Sequence, residues 1–294
     1  MEKVCVLMST YNGSKYLREQ IDSILSQENV DVNLIIRDDG SRDDTISILE
    51  SYQTRGLLTY TAGENLGYAG SFLKLLKEAP PCDYYAFSDQ DDIWLSEKLR
   101  KAVDSLKKSQ GRRILYCSNL LVYHNEKVIG VMRPIESTTD KYKCLNKSIC
   151  TGCTIVINKE FRDYVLGFIP DKVKVHDLWL FHTAVFLGTL LYDNNAYIMY
   201  RQHGSNQIGA KYSRVARMRN RIKSLRTLPQ QHEKEEEAKL LMDTFKQELK
   251  EEDKPIIAKV ANYKYSLWNK LLLLFDSRYE TSFFDKARIV FGVY

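Results

Sequence analysis

Asp89-Gln90-Asp91-Asp92 follows the apolar run Tyr84 to Phe87 and sets three carboxylates on one short loop. Carboxylates crowded at a strand end repel one another unless a cation or a set of donors compensates them. Oxygen ligands of this kind suit Mg2+ or Mn2+, which take one or two protein carboxylates and complete their shell with phosphate oxygens and water. A solvated loop that caps the next helix is the plainer alternative, and two neighbouring clusters weigh against it. Asp38-Asp39-Gly40-Ser41 closes the apolar run Val32 to Arg37, and Ser9-Thr10-Tyr11-Asn12-Gly13 closes Lys3 to Met8. An ionised Asp39 can accept the imide N–H of a pyrimidine. Thr10, Tyr11 and Asn12 can offer hydroxyl, stacking and amide contacts to the other side of the base, while Asp43 and Asp44 read as helix caps.

The elements around these clusters must bring them together. After the first strand-like run, Leu17, Ile21, Ile24 and Leu25 recur at helical spacing, and after the second so do Ile46, Leu49 and Tyr52. Leu57 to Tyr60, a helix from about Ala69 to Lys77 and the strand Tyr84 to Phe87 continue the alternation. Such a pattern implies a mostly parallel sheet with crossover helices, whose ligands sit outside the carboxyl ends of the strands. All three clusters map to that edge. Beyond Ala102 the reading is a hairpin of Ile114 to Tyr123 with Val128 to Met132, strands at Thr154 to Ile157 and near Tyr197 to Arg201, and helices over Lys159 to Leu166 and Asp177 to Phe186.

Composition excludes several classes. With 44% hydrophobic and 28% charged residues over 294 positions, the chain is a folded globular protein. A net charge of +5 is too small to announce a nucleic-acid binder, and no nucleic-acid partner is expected. Six scattered cysteines make no disulfide framework, and with a strand-like run directly after Met1 the expectation is a reducing, cytoplasmic setting. Cys150-Thr151-Gly152-Cys153 has CxxC spacing without the second pair or nearby His that a zinc site needs. The absence of GxGxxG after the first strand and of GxxxxGK[ST] argues against dinucleotide oxidoreductases and P-loop enzymes.

From Lys211 the character changes. Residues 211–228 hold seven cations and no acid, with Tyr212, Val215, Met218, Ile222 and Leu225 at helical spacing. Residues 233–253 hold nine acids against four bases, and the remainder is apolar and aromatic. The chain therefore divides into an α/β catalytic domain over 1–210 and a helical extension over 211–294. The basic helix suits an anionic membrane surface, with a homo-oligomer contact as the alternative.

STYNG at 9–13, DDGS at 38–41, NLGYAGSF at 65–72, SDQDDIW at 88–94, TGC at 151–153, HDLW at 176–179 and YRQHGSN at 200–206 occur in that order. Together they resemble family 2 glycosyltransferases of the GT-A fold, and the DQDDxW form resembles the bacterial rhamnosyltransferases. The resemblance spans roughly residues 3–210. It implies an α/β fold with a mixed, mostly parallel sheet flanked by helices. It also implies an inverting, metal-dependent transfer of L-rhamnose from dTDP-rhamnose to a cell-surface polysaccharide or lipid-linked glycan, and the basic helix would hold the protein at the inner face of the plasma membrane. A UDP-hexose donor, or a non-catalytic protein that binds a nucleotide sugar, are the alternatives.

Carried onto this sequence, the resemblance puts Tyr11 and Asp39 on the base, and Thr10, Asn12, Asn65, Gly67, Asp89, Gln90 and Arg201 elsewhere on the nucleotide sugar. Asp91 would hold Mg2+ or Mn2+ with Asp89 and His203, and Asp92 would cap the next helix. Asp177 would be the catalytic base, since an attacking acceptor hydroxyl must lose its proton. Helix capping is the alternative role for that aspartate. Thr151, Gly152 and Trp179 would meet the acceptor.

Overall fold

Strand β1 (Lys3–Thr10) leads into α1 (Leu17–Leu25), β2 (Asp31–Asp38) into α2 (Thr45–Thr54), and β3 (Thr59–Ala62) into α3 (Gly67–Glu78). β4 (Tyr84–Ser88) passes through the short β5 (Ile93–Trp94) to α4 (Lys98–Lys108). The chain continues with β6 (Ile114–His124), β7 (Lys127–Val131), α5 (Lys141–Asn146), a 3-10 turn at Gly152–Thr154, β8 (Val156–Asn158), α6 (Lys159–Leu166), α7 (His176–Leu187) and β9 (Thr189–Arg201). Helices α8 (Glu233–Phe245), α9 (Lys254–Ala261) and α10 (Leu267–Phe275) follow. This computed structural model describes residues 1–133, 139–170, 173–203 and 233–279, together with 286, 289 and 290. The basic segment 211–228 and the phenylalanines 283, 284 and 291 lie outside the described residues.

The strands form one sheet in the order β3-β2-β1-β4-β8-β6-β9-β5, with β7 paired to β6. β1 runs parallel to β2 and β4, and β2 to β3, so Thr10, Asp38, Ala62 and Ser88 end at one edge. β8 runs antiparallel to both β4 and β6. In β1, Val4, Val6 and Met8 alternate with Cys5 and Leu7, and all five are buried. A strand covered on both faces needs no polar alternation, which is why it reads as a continuous apolar run. Ile21 and Ile24 of α1, Ile48 and Leu49 of α2, and Leu99, Val103 and Leu106 of α4 pack on one face. Helices α3 and α6 lie against strands of the same sheet and bury Phe72 and Phe161.

β9 begins at Thr189, well before the expected Tyr197. Its first half pairs with Ile114 to Ser118, a bulge inserts Asn194 and Asn195, and pairing resumes at Asn119↔Ala196. The Asp-Asn-Asn run reads as a turn in sequence because the bulge uses turn-forming residues inside a strand.

Two compact units emerge: Met1–Ser137, Cys150–Ala184 and Gly188–Asn206 in one, Thr138–Ile149, Val185–Leu187 and Gln207–Tyr294 in the other. In the second, α8 buries Ala238, Leu241 and Phe245, and α9 buries Ile256, Ile257 and Val260. Asp253, ahead of α9, accepts from the Tyr142 hydroxyl of α5 at 2.9 Å and pairs with Lys141. Among the described residues no helix is long and apolar enough to cross a membrane.

Candidate active site

The three loops at the carboxyl edge are stitched into one network. Asp38 accepts the Gly40 and Ser41 amides on Oδ1 and the Thr10 hydroxyl, at 3.0 Å, on Oδ2. Asn12, in the left-handed region at φ 48°, donates its amide to the Ser41 hydroxyl at 2.8 Å and accepts from the Arg42 amide at 2.8 Å. The Gln90 carboxamide clamps Tyr11, accepting its N–H at 2.9 Å and donating to its carbonyl at 3.1 Å. Gly13 leaves room for this clamp: a Cβ there would stand 2.1 Å from Gln90 Oε1, so the carboxamide would have to move. The ring of Tyr11 is left exposed.

Asp39 forms the floor beside this network. It is buried, its Oδ1 pairs with Arg37 and accepts the Leu66 amide at 2.9 Å, and no described residue bonds Oδ2. Arg37 also donates to the Glu64 carbonyl at 2.7 Å, which draws the 63–67 loop over the carboxylate. In that loop Asn65 accepts the amide of Gly67, itself at φ 70°. One unbonded acceptor oxygen at a sheet's ligand edge suits a single N–H donor such as a pyrimidine imide.

The acidic cluster lies between this floor and α7. Asp91 Oδ2 meets His203 Nε2 at 2.7 Å, and His203 stacks on Tyr16 with ring centroids 5.1 Å apart. Arg201 donates its backbone N–H to Asp92 Oδ1 at 3.1 Å and its Nε to the Asp91 carbonyl at 2.9 Å, and pairs with Glu19. Burial, and then the charges of Asp91 and Asp177, push the Asp89 carboxyl up to about 7. Burial, Asp89 and Asp91 raise Asp92 as well. Carboxylates held together against their own repulsion, with an imidazole on one of them, fit a hard divalent cation of the Mg2+ or Mn2+ kind. Cys153 approaches Asp89 and Asp92, all three within 4.8 Å, but the buried ammonium of Lys98 faces the same pair of side chains, Cys153 and Asp92. A cation is therefore better suited by the Asp91–His203 side of the cluster.

Asp177 stands in the first turn of α7, and its Oδ2 accepts the Gly152 amide at 3.0 Å. A Cβ on Gly152 would only reach ordinary contact with Asp177 and the His176 ring, at 3.4 Å. Thr151, buried, accepts weakly from the Arg133 guanidinium at 3.4 Å.

Four of the expected side chains are placed as follows. The Thr10 hydroxyl is buried on Asp38. Gln90 spends both ends of its carboxamide on Tyr11 and acts as a loop clamp. Trp179 is 1% exposed and cannot meet an acceptor: two residues along a helix from Asp177, it falls on the opposite, core-facing side. Asp92 is no cap, since α4 starts behind Glu97 and Asp92 is locked under the cluster by Arg201.

A family model for glycosyl transferase family 2 matches residues 5–165, more than half of the chain. The chain belongs to this family. It is 32% identical over 237 residues to the dTDP-rhamnosyl transferase RfbG of Shigella flexneri, covering 73% of this chain and 80% of that protein. It is 26% identical to the uncharacterized glycosyltransferase RP339 of Rickettsia prowazekii, covering 69% of this chain and 64% of that one. Among solved structures, S. aureus TarS 1–349 superposes with a TM-score of 0.58 at 17% identity, covering 94% of this chain and 75% of that chain. The mannosyltransferase PcManGT of Pyrobaculum calidifontis, in complex with GDP-Man and Mn2+, gives 0.56 at 17%, covering 99% and 79%. The fold is GT-A, and the protein is a glycosyltransferase.

The glycosyltransferase has further site residues that motif reading missed. Arg37 is a buried cation in an otherwise apolar strand next to two aspartates, a signal visible in VNLIIRDDGS. Lys98 is buried with its ammonium 3.3 Å from the Trp94 ring centroid, and burial lowers it to about 7. His176 is buried and stacked on Phe72 at 4.3 Å, and burial lowers its pKa so that the ring is held neutral beside Asp177. Nothing local in sequence marks His176, because Phe72 comes from a distant element.

Proposed function

We propose that this glycosyltransferase moves L-rhamnose from dTDP-rhamnose to a saccharide acceptor in one inverting, divalent-cation-dependent displacement. The observation that carries the reading is the acidic loop after β4, in which Asp89 and Asp92 pack together and Asp91 Oδ2 meets His203 Nε2 at 2.7 Å. Similarity to the Shigella dTDP-rhamnosyl transferase supports the donor, and the acceptor class proposed with it is a cell-surface polysaccharide or lipid-linked glycan.

In this reading Asp39 Oδ2 accepts the N3–H of the thymine, Tyr11 stacks on the ring, and the Asn65 to Gly67 loop closes over it. Asp91 and His203, with Asp89, would hold Mg2+ or Mn2+, which when bound neutralises charge on the leaving diphosphate. Mn2+ in the PcManGT complex supports this choice. Asp177, oriented through Oδ2 by the Gly152 amide, takes the proton of the acceptor hydroxyl on its other oxygen. The acceptor oxygen bonds to the anomeric carbon, the carbon–oxygen bond to the diphosphate breaks, and its electron pair leaves with dTDP. Arg201 and Gln90 position the loops.

The test is a donor panel with purified protein and each of Mg2+ and Mn2+, followed by the anomeric configuration of the product. Transfer from dTDP-rhamnose with inversion is expected. Preference for a UDP-hexose overturns the donor, and retention of configuration overturns the single displacement.

A further inference from the structure

Helix α10, Leu267–Phe275, is nine residues long, about 13 Å, and sits in the second unit. At about 100° per residue, Leu267, Trp268, Leu271 and Phe275 share an arc of about 100°. These side chains are 79%, 68%, 47% and 82% exposed, while Leu273, on the opposite side, is fully buried. The helix is thus anchored by its inner side and turns its largest apolar groups outward. At these exposures they present on the order of 500 Å2 of apolar surface, a patch size that marks an interaction site.

The charge around the patch is mostly positive. The helix carries one charged residue, Lys270, and no acid. Residues 254–294 hold seven cations against three acids, Asp276, Glu280 and Asp285. Asp276 is already bonded to Lys259 and Arg278. Lys264 and Lys286 are exposed.

We propose that α10 is a membrane-surface element that lies in the plane of a bilayer rich in anionic lipid. Its apolar arc sits at the acyl boundary and the flanking cations meet the headgroups. Nine residues are far short of the roughly 20 that span a bilayer, so the helix lies on the surface and does not cross. A second copy fits less well: about 500 Å2 falls below the roughly 800 Å2 each partner gives to a stable interface, and the like-charged flanks repel. This inference stands independently of the catalytic reading.

The protein carries its own probe. Trp268 is exposed whereas Trp94 and Trp179 are buried, so a vesicle-induced change in emission reports on α10. The full-length chain is mixed with vesicles of phosphatidylcholine alone or phosphatidylcholine with phosphatidylglycerol. Anionic vesicles are expected to shift Trp268 emission to the blue and to sediment the protein. The exposed-site variant Leu267→Ser/Phe275→Ser, with an unchanged melting temperature, should partition at least about tenfold less. Unchanged emission with anionic vesicles, or equal sedimentation of the folded variant, overturns the proposal. A blue shift that follows protein concentration without lipid also overturns it and gives the face to a second copy.

Discussion

His203 Nε2 lies 2.7 Å from Asp91 Oδ2 across 112 residues of sequence. The last strand delivers the imidazole to the acidic loop, and the Arg201 amide on Asp92 fixes the register of that delivery. His203→Ala is expected to weaken Mn2+ binding by about 10- to 100-fold. The readout is the Mn2+ concentration that half-maximally raises the melting temperature, and an unchanged value removes His203 from the cation site.

The cluster also sets a pH dependence. Without a cation, the folded chain keeps a proton on Asp89 up to about 7, whereas the ordinary value is 3.8. The folded state therefore binds more protons between these values, and stability falls as pH rises through that window. Asp92 shifts in the same direction. Lys98, lowered from 10.5 to about 7, is protonated in both states over most of the window and adds little there, while His176, held by burial below its ordinary 6.5, opposes the two aspartates in the upper part of the window. Asp43 has its full effect above pH 5: burial works against ionisation, but hydrogen bonds from Thr45 and Ser14 hold it near 2. Cation-free protein should melt lower at pH 7 than at pH 5, and Mg2+ or Mn2+ should recover the difference. A cation-free melting temperature that rises over this range contradicts the packing of the three aspartates.

Gly13 and Gln90 are expected to couple. Gly13→Ala forces a Cβ into the Gln90 carboxamide and should cost about 1–3 kcal/mol by overpacking. Gln90→Ala removes the obstacle together with the clamp on Tyr11, so the double variant should be less destabilised than the sum of the singles. Denaturant unfolding of the cycle measures this, and additivity would place the two side chains apart.

Asp39 holds Arg37 as well as its proposed base. Asp39→Ala leaves a buried, unpaired guanidinium and should destabilise the chain by about 3–5 kcal/mol. Asp39→Asn keeps a hydrogen-bond acceptor for Arg37 but not the counter-charge, so it should be destabilised less than Asp39→Ala while losing dTDP affinity. Calorimetric titration with dTDP separates the two effects; equal dTDP binding by Asp39→Asn and the parent would move the base elsewhere.

Much of this was legible in the sequence because it is local. Continuous apolar runs ending in STYNG, DDGS and SDQDD state both a buried parallel sheet and the edge where its loops meet. The Asp39 floor and the place of Asp177 at the start of α7 follow from that logic. What sequence hid was direction. Thr10, Gln90 and Trp179 belong to the right motifs, yet their side chains serve Asp38, Tyr11 and the core. Motif membership gives position along the chain, whereas a side chain's partner depends on strand pairing and helix rotation that motif spacing leaves open. The His176–Phe72 stack is likewise tertiary. The β9 bulge escaped because its Asn-Asn pair has turn chemistry inside a strand.

The most direct test of Asp177 as base is the rate of rhamnosyl transfer by Asp177→Asn, with dTDP affinity measured on the same protein. The amide can still accept from Gly152 but cannot take a proton, so transfer should fall by about 10²- to 10⁴-fold with dTDP binding unchanged. Transfer at or near the parent rate, with dTDP still bound, would contradict that role.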